Sequence, residues 1–213
     1  MRIKQDKLFF ENNYSNYNIN TILIPPGIDN IKENYEQIKG HNIIFTGKMD
    51  YEPNVQAMEW FCNEVFPDIQ KGIDDVKLYI VGKNPTDYIK SLSSDSIIVT
   101  GKVDSVEEYL KLANIVVIPL LSGGGVKIKL IEALQFKNIV VTTSKGVEGT
   151  KFRHNEELLV SDDSNEFAQY CIDILNNPEK YEHHIKKSVE CLESNYLWGS
   201  IGNQYEQYIL NLR

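Results

Sequence analysis

The stretch IVVIPLLSGGGVKIKLIEAL, residues 115–134, decides how the chain is read. Ile115-Val116-Val117-Ile118 is a short, continuous apolar run, the pattern of a strand buried on both faces. It stops at Pro119. Three glycines, Gly123, Gly124 and Gly125, then lead into a segment, Val126 to Phe136, whose apolar spacing predicts a helix. A strand, a glycine turn and a helix in succession make a place for an anion. Glycines let backbone N–H groups approach a ligand with no Cβ in the way, and a helix N-terminus carries about half a positive charge. Lys127 and Lys129 add two full charges in what reads as the first turn. On a helix they stand about 200° apart and diverge, whereas Lys129 and Glu132, three residues apart, share a face. The unit reads as a phosphate or diphosphate cradle, with Glu132 one turn further in, where a carboxylate can hold a ribose diol. It is not a P-loop, because GxxxxGK[ST] is absent, and no GxGxxG follows the first strand. Taken alone, the segment also fits an ordinary tight turn followed by a solvated Lys129–Glu132 pair.

Working outward, the same alternation recurs. Ile43 to Thr46 reads as a buried strand ending at Gly47, Val76 to Val81 as a second ending at Gly82, and Ser96 to Thr100 as a third ending at Gly101. Asn114 to Pro119, Ile139 to Thr143 and Glu157 to Val160 supply three more. Between them lie helical patterns at Asn54 to Ile69, Pro85 to Leu92, and from a Ser105 cap to Ala113. Asn165 to Leu175, Pro178 to Leu192 and Trp198 to Leu210 read as a helical tail. Apolar strands alternating with helices predict an α/β fold: a Rossmann-like, doubly wound parallel sheet of about six strands with a C-terminal helical tail. Ligands in such sheets bind beyond the carboxyl ends of the strands. The first forty residues differ. ENNYSNYN reads as a polar loop, and Asn20 to Ile24 as a short β-like run stopped by Pro25-Pro26-Gly27. The domain reading is a segment and connector over 1–40, the sheet domain over 41–195, and a tail helix over 196–213.

Composition narrows the function. At 213 residues, 42% apolar and 24% charged, the chain has the make-up of a globular domain that needs no staples. A net charge of −8 argues against nucleic-acid and basic membrane-surface binding. No apolar run approaches the ~20 residues of a membrane span, and residues 1–18 show no signal-peptide core. Cys62, Cys171 and Cys191 are odd in number and lack CxxC spacing, so they read as reduced thiols. His41, His154, His183 and His184 form no metal-binding pattern. Asp162-Asp163 reads as a helix cap, Trp60 and Trp198 as packing residues, His154 as solvated, His183-His184 as surface residues, and Cys62 and Cys171 as core thiols.

The segments SGGGVKIKLIEAL, KNIVVTTSKGVEG and ELLVSDDSNEFAQYCIDILNNP together resemble the C-terminal half of retaining glycosyltransferases of family 4, which have the two-domain GT-B architecture. FTGKMDYEPNVQAMEWFCNEVFP resembles the first strand, loop and helix of that half, IPPGID the interdomain connector, and Tyr196-Leu197-Trp198 its tail helix. The likeness covers roughly residues 20–210.

The resemblance implies the nucleotide-sugar donor half, with a UDP- or GDP-sugar as substrate and no cofactor. Glu132 matches the second Glu of the family's Glu-x7-Glu motif, which holds the donor ribose. The first falls on Gly124, as in a subset with Gly-Gly-Gly-Thr-Arg-Leu-Lys at this place. Lys127 and Lys129 match that subset's basic pair, and Lys48, after Gly47, matches a diphosphate-binding Arg. The usual second base is Asn54 here, with Lys127 or Lys129 standing in for it. Gly47, Gly123, Gly124, Gly125 and Val126 line the donor, and the backbone near Val103 faces the nucleobase. Lys48, Lys127 and Lys129 would then stabilise the departing diphosphate, in keeping with the absence of the Asp-x-Asp metal motif of fold-type A transferases.

A complete enzyme of this kind needs a second, acceptor-binding domain. The chain is therefore expected to be a fragment with little or no activity of its own, or else a naturally short half that is stand-alone or partner-dependent. The expected location is cytoplasmic, with any contact at the inner membrane face made through the missing domain. Without that domain, residues 8–24 are expected to pack against a second copy. Two other classes stay open: a non-catalytic nucleotide-binding or scaffold module, which loss of the first motif Glu favours, and a nicotinamide-dependent oxidoreductase. The missing GxGxxG and the lack of an acid ending the second strand count against the latter.

Overall fold

A computed structural model describes residues 3–14, 21–22, 24–32 and 40–211. Six strands form one parallel sheet: β1 (His41–Thr46), β2 (Val76–Val81), β3 (Ile97–Gly101), β4 (Ile115–Ile118), β5 (Val140–Thr142) and β6 (Leu159–Val160). Their spatial order is β3-β2-β1-β4-β5-β6. Every pairing is parallel, with His41 opposite Val76, Ile43 opposite Ile115, Val116 opposite Val140 and Val141 opposite Leu159. The chain winds outward from β1 to β3, then crosses back to start β4 on the other side of β1. That reversal opens a crevice beyond the carboxyl ends of β1 and β4.

The helices are α1 (Ile3–Asn13), α2 (Glu52–Trp60), α3 (Phe66–Gly72), α4 (Asp87–Ser91), α5 (Glu107–Leu112), α6 (Ile128–Gln135), α7 (Ser144–Val147), α8 (Ser164–Asn176), α9 (Glu182–Asn195) and α10 (Trp198–Leu210). The helix expected over 54–69 is α2 and α3 joined by a π-helical turn, Phe61–Val65, in which the Phe66 amide reaches the Phe61 carbonyl. The wide turn sits directly before Pro67, which has no N–H to give to a regular ladder. Ile43, Ile44, Phe45, Leu78, Ile80, Val116, Val117 and Val140 are fully buried between the helical layers, which is why the strands read as unbroken apolar runs.

Several local readings are corrected. Glu11 to Asn13, read as loop, end α1, and Thr21, Ile22 and Ile24 lie outside any strand; Asn20 and Leu23 lie outside the described residues. Leu8, Phe9 and Phe10 on α1 are exposed. Ser105 does not cap α5, whose N-cap is Val106 with no side-chain hydrogen bond. Of the acidic pair, Asp163 caps α8 by accepting from the Glu166 amide, while Asp162 accepts from the Ser144 amide and hydroxyl. His184 is buried rather than a surface residue: its ring N–H donates to the Glu156 carbonyl, and burial lowers its pKa. Cys62 and Cys171 are buried, and burial pushes the Cys62 thiol up to about 12. Trp60 packs edge-on against Phe167, and Trp198 covers Gly27 so closely that a Cβ there would stand 2.5 Å from its ring.

The connector and the tail are tied together. The Ile28 amide donates to the Tyr196 carbonyl and the Trp198 amide to the Ile28 carbonyl. Tyr196 stacks on Phe152 and accepts the Lys151 amide on its hydroxyl. The connector then runs along α6, where Gln135 Nε2 donates to the Asn30 carbonyl.

Candidate functional site

Beyond the carboxyl ends of β1, β2 and β3 lies a cleft of about 460 Å³. Its floor is Gly47 and Gly82. Their backbones touch so closely that a Cβ on Gly82, at φ +152°, would sit 1.6 Å from the Gly47 carbonyl oxygen. The two glycines turn both strands away at the same level and leave the space above open. The β2–β3 register shifts between Ile80 and Val81, and Gly101, at φ +68°, turns the chain into Lys102 and Val103, which form another wall. Val103, Val106 and Leu110 give that wall an apolar face, and Glu132 and Gln135 of α6 with its C-cap residue Phe136 also line the cleft.

Lys129 reaches the floor. Its Nζ donates to Asn54 Oδ1 at 2.8 Å and stands 4.2 Å from the centroid of the Phe45 ring. A Cβ on Gly47 would meet that Nζ at 2.9 Å, so glycine is what allows the ammonium to lie on the turn. Burial lowers the Lys129 pKa from 10.5 to about 7, opposed by the Glu132 carboxylate one turn along. Glu132 lines the same cleft, and desolvation lifts its carboxyl above the usual range, opposed by Lys129. The shared face expected of Lys129 and Glu132 is therefore the face that looks into the cleft.

Lys127 is placed differently from its sequence reading. α6 begins at Ile128, so Lys127 is its extended N-cap, outside the first turn. Its Nζ folds back onto the Gly125 and Gly123 carbonyls at 2.9 and 3.2 Å and pins the glycine turn, and burial lowers its pKa. Gly123 (φ +95°) and Gly125 (φ +81°) need the conformations that glycine permits, and Gly124 stands in open space. The turn and Val126 line a second hollow of about 260 Å³ that shares Lys129 with the main cleft. Ser122 ties the turn to α2 by donating to Gln56 Oε1. Lys48 lines the main cleft but is half exposed and pairs with Asp50 at 3.1 Å. Lys83 and Lys102 add two further cations to the lining.

Asn54 escaped the sequence reading except as a missing base. It is buried, donates to the Lys48 carbonyl and accepts from Lys129. Its only sequence signal is a polar residue next to Pro53 among the apolar positions of a helix. Chemically, the cleft offers cations and an open turn at one end, a carboxylate midway, and an apolar slot at the other. That order suits a diphosphate, a polyhydroxyl ring and a flat base.

A family model described as "Glycosyl transferases group 1" matches residues 40–177. A Klebsiella pneumoniae protein described as an uncharacterized 44.6 kDa protein in the cps region is 29% identical over 173 residues, which cover 76% of this chain and 45% of that protein. The chain thus spans about half the length of this curated relative. The structure of the pneumococcal O-GlcNAc transferase GtfA, in complex with UDP and GlcNAc, is similar with a TM-score of 0.71 at 14% identity, over 98% of this chain and 44% of its own. The C-terminal domain of the group 1 family glycosyl transferase LpcC from Francisella tularensis gives 0.66 at 16% identity, over 81% of this chain and 100% of that domain. The solved structures share the fold. The family match takes in the glycine floor, the glycine turn and all of α6, and on it the chain belongs to the group 1 glycosyl transferases.

Proposed function

We propose that the chain is the donor-binding half of a glycosyltransferase that moves a sugar from a nucleotide-sugar to an acceptor with retention and without a metal. Lys129 seated on Gly47, with Glu132 one turn along the same wall, carries this reading. The base enters the apolar slot beside Val103, the ribose diol donates to Glu132, and the diphosphate lies over Gly47 towards the glycine turn. As the sugar leaves, charge grows on the phosphate oxygens. The Lys129 ammonium and the end of α6 face that charge, with Lys48 at the rim, while Lys127 holds the turn in shape. The acceptor site belongs to a second domain, the chain works in the cytoplasm, and self-association runs through residues 8–24, where Leu8, Phe9, Phe10 and Tyr14 are exposed. UDP, its bound form in the GtfA complex, is the first probe.

Calorimetric titration with UDP, GDP and uridine, with and without chelator, tests the reading. UDP or GDP binds weakly in chelator, and Glu132→Ala weakens both UDP and uridine by about 1–3 kcal/mol, the cost of a lost charge-assisted bond. No binding of either diphosphate sinks the donor reading in favour of a scaffold. Binding that chelator abolishes overturns metal independence, and unchanged affinities in the variant overturn the ribose role of Glu132.

A further inference from the structure

We propose that Asn54 is a positioning residue that holds Lys129 through a neutral amide so that its charge stays uncompensated, and that an incoming diphosphate is bound together with a proton on Lys129. The inference rests on the donor reading and adds a proton to it.

The geometry is a relay across three elements. Asn54, at the start of α2, is 4% exposed. Its Nδ2 donates to the Lys48 carbonyl at 2.8 Å and its Oδ1 accepts from Lys129 Nζ at 2.8 Å. A Cβ on Gly47 would strike both partners, at 2.6 Å from Asn54 Nδ2 and 2.9 Å from Lys129 Nζ. The amide therefore locks the lysine against the turn where a ligand must pass. Lys129 makes no ion pair among the described residues, and the Phe45 ring takes up its other side.

The charged groups around it are mixed in sign, and none forms an ion pair with it among the described residues. From α6 come Glu132 and the capped-back Lys127, from the end of β1 Lys48, from β2 Lys83, and from the β3–α5 wall Lys102 and Glu107. Asp50 is taken by Lys48. Desolvation against the turn lowers the Lys129 pKa to about 7, with Glu132 opposing the drop and Lys127 adding to it. A diphosphate reverses the balance: the phosphate oxygens favour the ammonium, so Lys129 takes one proton from solvent when the ligand arrives while it is neutral. An aspartate at position 54 would already hold the lysine charged and would stand against the diphosphate. Hence the clamp is an amide.

The test compares the wild-type chain with Asn54→Asp and Asn54→Ala. First, Lys129 is titrated without ligand through its side-chain carbon signal. The expected midpoint is near 7 in wild type and at least one pH unit higher in Asn54→Asp. A wild-type midpoint near 10.5 overturns the proposal whatever the ligand does. Second, UDP is titrated calorimetrically at pH 8 in buffers of different ionisation enthalpy. The wild type takes up close to one proton per UDP. Asn54→Asp takes up almost none and binds UDP at least tenfold more weakly, with uridine affinity unchanged. Asn54→Ala, which frees the lysine without adding charge, loses UDP affinity, and unchanged UDP affinity in this variant overturns the positioning role. Equal uptake in wild type and Asn54→Asp overturns the proposal. Failure of the wild type to bind UDP at all, with the ligand-free midpoints as expected, refutes the coupling to diphosphate and the donor reading but leaves the clamp standing.

Discussion

Lys129→Met should make the protein more stable and worse at its work. Met keeps the length of the side chain and sets a thioether over Phe45 in place of an ammonium. The lysine pKa falls from 10.5 to about 7 on folding, mainly through burial. That drop corresponds to at most about 5 kcal/mol of folding energy spent on keeping the charge in the cleft. Removing the lysine leaves Asn54 Oδ1 without its donor, a cost of about 1–3 kcal/mol. A net gain of at most about 2–4 kcal/mol at pH 7 follows. The pH dependence has a definite sign. Between pH 7 and 10.5 the unfolded chain carries a proton on Lys129 that the folded one has lost, so wild-type stability rises with pH by about 1.4 kcal/mol per unit from this group. Cys62 and the other acids whose pKa burial raises pull the opposite way at alkaline pH, but they are common to both proteins and cancel in the difference. Urea unfolding of both proteins at pH 7.5 and pH 9 should show the advantage of the variant shrinking by about 2 kcal/mol. Its UDP affinity should drop by roughly 10–100-fold, the worth of a charge-assisted contact. A variant less stable than wild type at pH 7, with a difference that does not change with pH, would refute the argument that the ammonium is held at a cost.

Two further predictions concern residues whose environments differ from their neighbours'. Gly123→Ala should cost about 1–2 kcal/mol, because its backbone is left-handed and the new Cβ meets Pro53 at 3.3 Å, whereas Gly124→Ala, into open space, should stay within about 0.5 kcal/mol; equal melting shifts would contradict the turn geometry. Because burial lowers the His184 pKa, the unfolded chain binds its proton first as pH falls below about 6.5, and stability is lost there. His184→Gln, which can still donate to the Glu156 carbonyl, should show a shallower loss in acid melts, and parallel curves would show that His184 has no part in it.

The sequence by itself determined the strands, most of the helices and the place of the candidate site. β2 and α10 match their sequence ranges to the residue, and the other strands match within one or two positions, because a strand buried on both faces must be apolar throughout. The glycines ending three strands and the run before α6 marked the crevice, because positive φ at Gly82, Gly101, Gly123 and Gly125 and close approach at Gly47 admit little else. α1 was missed because its exposed Leu8, Phe9 and Phe10 stand in consecutive positions and show no helical period, and the buried His184 because a tail helix shows its depth only in its contacts. The tertiary structure alone decided which residues meet. Lys127 and Lys129 look equivalent in sequence, yet one rotamer closes on its own glycine turn and the other crosses to an amide 75 positions away. Asn54 meets Lys129 only because β1 and β4 lie side by side, which brings the start of α2 against α6. No local pattern carries that information: the energy of the contact belongs to the pairing of distant strands.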